Sequence, residues 1–97
     1  MELTGKQRRY LRSLAHALKP VVWIGHDGIT DAVLDKVGIE LENHELIKVK
    51  ILEGAALDNE EAGPALAAKV RAALVQTIGH QVLLYRPRSE DPDIKLP

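Results

Sequence analysis

An unbroken apolar run, Val21 to Ile24, halts at Gly25, crosses His26 and Asp27 to Gly28, and enters a helical pattern opening at Thr30. A joint of this kind commits the chain to a strand that feeds straight into a helix. The run does not alternate, so the strand is expected to be covered on both faces, with Trp23 inside. Thr30 suits the N-cap and Asp31 suits the positive end of the helix dipole. Val33, Leu34, Val37 and Leu41 then supply a buried stripe, and the helix is expected to end near Asn43-His44.

The other elements follow from the same kind of reading. Thr4 and Gln7 fit a capping box, and Tyr10, Leu11, Leu14, Ala15 and Leu18 recur at helical spacing as an apolar stripe. Arg8, Arg12 and His16 stand on another side of that first helix, with Arg9 and Lys19 near them, and Pro20 stops it. Leu46 to Leu52 alternates: Ile47, Val49 and Ile51 share one face, Lys48 and Lys50 the other. Asp58-Asn59-Glu60-Glu61 offers a start for a third helix. Pro64 lies either near a first turn beginning at Gly63 or inside a helix begun at Asp58, where it costs about 3 kcal/mol. The β-branched Val75, Thr77 and Ile78 favour a strand, turned by Gly79-His80 into a second strand over Gln81 to Arg86.

The expected fold is therefore α/β: a single compact domain over residues 1–97, in the order α-β-α-β-α-β-β. Helical crossovers make three strands mutually parallel, and the last runs antiparallel to its hairpin partner. The sheet is a mixed four-stranded one with helices packed on it. Residues 87–97 form a polar tail in which Ile94 and Leu96 can dock on the body.

Charge narrows the function. The formal net charge is −1, yet residues 1–20 hold five basic groups against one acidic, and the remainder eight against thirteen. A bipolar chain of this kind can meet a polyanion with one face and repel it from the rest. The glycine joint adds a second anion site. Bare N–H groups at a helix N-terminus attract phosphate, and a KH-type Gly-x-x-Gly loop clamps a nucleic-acid backbone in this way. The glycines also have a purely conformational reading, since many such turns need one for positive φ. Without cysteine there is no disulfide, thiolate catalysis or cysteine-ligated zinc. No apolar run is long enough to span a membrane and no leader follows Met1, so a cytoplasmic protein is expected.

Five blocks then resemble one family. They are Leu3-Thr4 with Gln7-Arg8, Leu14-Ala15-His16 with Leu18 to Val22, Gly25-x-x-Gly28-Ile29-Thr30, His44 to Lys50, and Val75-Gln76 through Ile78-Gly79 to Leu84-Tyr85-Arg86-Pro87. Together they resemble the YhbY-like proteins of the CRM (chloroplast RNA splicing and ribosome maturation) domain family. The resemblance implies an RNA-binding module similar to the C-terminal domain of the third bacterial initiation factor. It also implies association with precursors of the large ribosomal subunit, and RNA contact by the glycine loop and nearby basic residues. The chain departs from the pattern at His26 and Asp27, where many relatives have lysine or an uncharged polar residue. A carboxylate there opposes phosphate, unless Asp27 caps the following helix.

The candidate RNA contacts are Arg8, Arg9, Arg12, Lys19, the loop Gly25, His26, Asp27 and Gly28, and further Lys48, Lys50, Arg86 and Arg88. With no Phe, and with Trp23 and Tyr85 read as buried, base stacking is not expected. The reading is a backbone grip on folded ribosomal RNA. His16, His26, His44 and His80 fall in four separate elements without metal-ligand spacing, so neither metal, cofactor nor enzymatic turnover is expected. His44-Glu45 is instead given a structural hydrogen-bonding role. A monomer is expected; a protein-binding adaptor, docking ribosomal proteins, is the alternative.

Overall fold

A computed structural model describes all residues, 1–97. The elements are α1 (Gly5–Ala15), β1 (Pro20–Ile24), α2 (Asp31–His44), β2 (Leu46–Ile51), α3 (Asn59–Val70), β3 (Ala73–Ile78) and β4 (Gln81–Tyr85). The sheet order is β1-β2-β4-β3. β1 and β2 are parallel, and β4 lies antiparallel between β2 and β3, so three strands share one direction as expected.

Alternation along the strands divides the core in two. Val22, Ile24, Ile47, Val49, Ile51, Val82 and Leu84 face α2 and α3, meeting Val37, Leu41, Leu66 and Val70. The opposite face carries a smaller cluster: Leu46, Val75, Leu83 and Tyr85 pack against Leu11 and Ala15 of α1, with Ile94 and Leu96 of the tail beside them. The tail thus docks as its two apolar residues suggested.

The capping box of α1 forms as expected, Thr4 Oγ accepting from Gln7 N at 3.1 Å and Gln7 Oε1 from Thr4 N at 3.0 Å. Three expectations for this region need correcting. α1 ends at Ala15, before Pro20 can act on it, because a turn from Leu18 N to Ala15 O leads the chain away. Tyr10 and Leu14 are exposed, since only Leu11 and Ala15 lie squarely over the sheet. β1 is an edge strand whose burial alternates, and Trp23 is 52% exposed. α1 covers only part of its side of the sheet and leaves that end of β1 bare.

Pro64 lies inside α3, which runs from Asp58 as N-cap. It is exposed, as is Glu60 one turn back, whose carbonyl loses the N–H it would otherwise accept from. The preceding Gly63 lets α3 sit close on the sheet: a Cβ there would lie 2.9 Å from Leu74 Cδ1. The helix stops at Val70, with Arg71 left-handed.

At the α2–β2 corner Glu45 adopts φ 65 and is fully buried. Its carboxylate accepts backbone N–H groups from Arg88 (2.9 Å), Asp93 (2.7 Å) and Ile94 (2.8 Å). Burial alone would raise its pKa, but those three amides hold it below the ordinary carboxylate value. The structural role expected for His44-Glu45 is met. His44 lies 3.4 Å from Glu40, one turn back.

Candidate nucleic-acid interface

One end of the sheet gathers three connections. The loop after β1 begins there, Leu52 N bonds Ile24 O at 2.9 Å, and Ile51 N bonds His80 O of the β3–β4 turn at 2.7 Å. One residue below this rim, Trp23, Lys50, Gln81 and Ile78 are successive cross-strand partners. Their neighbours Ile24, Ile51 and Val82 point to the larger core, so alternation sends this row to the α1 side. Beyond the reach of α1 the row has no cover.

Between that bare sheet and the C-terminal part of α1 lies an open groove of about 650 Å³. Arg12 and His16 rim it from the helix, and Lys48, Lys50, Gln76 and Gln81 from the strands. None of the residues lining it is acidic. Arg12 and Lys50 make no ion pair or internal hydrogen bond, whereas Lys48 Nζ donates to Leu18 O at 3.0 Å. The groove is therefore a positive surface with two uncommitted cations.

The glycine loop is a turn. Gly28 N donates to Gly25 O at 3.0 Å, and Gly28 takes φ 71, which a side chain rarely adopts. That hydrogen bond closes one of the amides expected to be bare. The tip carries His26 and Asp27, whose side chains are 95% and 89% exposed and 3.7 Å apart. Asp27 does not cap α2; Thr30 does, accepting from Val33 N at 3.2 Å. The carboxylate stays at the loop tip.

The remaining expected contacts separate. Arg8 is half-buried and donates to the carbonyls of Leu74 (2.6 Å) and Val75 (2.8 Å), where an extra residue bulges β3. Arg86 reaches the other side of the sheet, donating to Val70 O (2.8 Å), Gly38 O (3.3 Å) and the Glu42 carboxylate (3.4 Å). Arg88 donates to Asn43 O at 3.2 Å, and its Nε is buried without a partner. Each of these guanidiniums fastens two segments together. Arg9 is exposed on α1, and Lys19 sits at the end of β1 away from the glycine loop, about 16 Å or more along the strand. Trp23 is the exposed aromatic side chain that the sequence pattern concealed. Its only signal is the position of its strand at the sheet edge.

No three His, Cys, Asp or Glu side chains cluster as a metal site. No helix is long and apolar enough to cross a membrane.

The family model for the CRS1/YhbY (CRM) domain matches residues 3–86. YqeI of Bacillus subtilis is 42% identical over 95 residues, covering 98% of this chain and 99% of the relative. A Haemophilus influenzae protein named as an RNA-binding protein is 44% identical over 95 residues, covering 98% and 95%. The solution structure of the hypothetical protein SAV1595 from Staphylococcus aureus is 41% identical and superposes with a TM-score of 0.76, covering 99% of this chain and 100% of that one.

Proposed function

The chain belongs to the CRS1/YhbY (CRM) domain family, and from that premise we propose that it binds structured ribosomal RNA by the backbone and serves maturation of the large ribosomal subunit. One observation carries the reading: a groove lined by Arg12, Lys48 and Lys50, free of carboxylates, in a chain whose net charge is negative. Clustered cations on an otherwise acidic molecule orient it on a polyanion. Arg9 extends the positive surface along α1, and the turn Gly25 to Gly28 brings its peptide edge to the same end of the sheet.

Such contacts fix position on a phosphate backbone and carry little sequence information. The partner is then recognised by shape, as folded ribosomal RNA can be. The relatives named for RNA binding support the partner class, and the RNA identity and the subunit are our extension. The reading invokes binding alone, in keeping with the relatives named for RNA binding.

Sucrose-gradient sedimentation of cell extract, before and after ribonuclease, tests the proposal. A primary RNA binder migrates with large-subunit precursors and is released by digestion. Migration that survives digestion would instead make the chain a protein-binding adaptor.

A further inference from the structure

We propose that Trp23 is a stacking site for one unpaired base, adjoining the backbone grip and resting on the RNA-binding reading above. The indole is 52% exposed on an edge strand, an unusual place for the only tryptophan of a chain that has no phenylalanine. Burial in the core cannot explain it, because Val22 and Ile24 on either side already fill the β1 share of the larger core.

Its surroundings select the ligand. Lys50 is its cross-strand partner, about 4.8 Å away along the sheet, and is exposed. Arg12 rims the groove that begins beside Lys50. Two residues after Trp23 the glycine turn starts. A flat apolar ring next to uncommitted cations, with no carboxylate lining the groove, fits a planar base whose flanking phosphates lie on Lys50 and Arg12. An apolar protein partner would need a broader patch, and Ile78, at the far end of the row, is the only other large apolar side chain exposed in it. A paired base cannot reach the indole face, so the site selects a loop, bulge or end. The module then reads a junction: duplex backbone in the groove and one splayed nucleotide on the indole.

The test uses the full chain and two RNAs, a blunt hairpin and the same hairpin with an oligoadenylate extension of about eight nucleotides. Trp23 is the only tryptophan, so its fluorescence reports on this position alone. The extended hairpin should quench that emission and the blunt one should not. Trp23→Ala should weaken binding of the extended hairpin about 5- to 100-fold and leave the blunt hairpin within about 2-fold. Trp23→Phe should recover part of the loss, and circular dichroism verifies the fold of both variants. Absence of quenching when the extended hairpin is bound overturns the proposal, whatever the variants do. So does equal binding of the two RNAs by Trp23→Ala and the parent. Should neither hairpin bind the parent chain, the RNA-binding reading itself fails and stacking falls with it.

Discussion

The carboxylate of Glu45 accepts the backbone N–H of Asp93 at 2.7 Å, joining the start of β2 to the tail across 48 residues of sequence. The amides of Arg88 and Ile94 complete the arrangement, and Glu45 is fully buried within it. Because the folded pKa lies below the unfolded one, near 4.3, this latch contributes its full stability above that value. The contribution is lost as pH falls through the depressed folded pKa. Thermal unfolding between about pH 7 and pH 3 should show stability falling in the acid range, less steeply in Glu45→Gln.

Glu45→Ala leaves three amides unsatisfied and places alanine at φ 65. A loss of about 3–5 kcal/mol is expected, measurable by urea denaturation. Glu42→Ala is the control, since that exposed carboxylate holds Ser89 at the surface. Its effect should be much smaller.

Arginines that fasten the fold and cations that face the groove should separate in a paired assay. Arg8→Ala removes donors from the Leu74 and Val75 carbonyls and should cost about 1.5–3 kcal/mol of stability. Arg12→Glu and Lys50→Glu should leave stability nearly unchanged and weaken RNA binding across sequences. The parent, with about four cations engaged (Arg9, Arg12, Lys48 and Lys50), should show a slope of log K against log salt of about −3.5, and each reversal should reduce it by about one.

Asp27 holds a carboxylate at the tip of the glycine turn, 89% exposed. Asp27→Asn should tighten RNA binding about 2- to 5-fold at low salt, with the gain fading as ionic strength rises. Filter binding at two salt concentrations checks this. An unchanged affinity would place the loop tip outside the interface.

Pro64→Ala should stabilise the chain by about 2 kcal/mol, restoring an N–H within α3 against a modest gain in unfolded-chain entropy. Urea midpoints measure it directly.

Local signals made much of this fold legible. The Thr4–Gln7 box, the alternation of Ile47, Val49 and Ile51, and the Gly79-His80 turn each depend on neighbours a few residues away. Trp23 could not be read in that way. A short apolar run looks the same whether one face or both are covered, and only the edge position of β1 and the short reach of α1 decide. Arg8, Arg86 and Arg88 were hidden for a related reason. Their carbonyl partners lie 66, 16 and 45 residues away, and a basic side chain bonding a distant backbone carries no pattern of its own. The surface of uncommitted cations is consequently narrower than the count of basic residues suggests, and centred on the sheet.

The Glu45 latch gives the last ten residues a leverage out of proportion to their size. A protease that clipped the chain after Ser89 would carry off two of the three amides that keep an interior anion comfortable. The damage would then surface at the root of the central strand, far from the cut, and trimming this end amounts to editing the middle of the molecule.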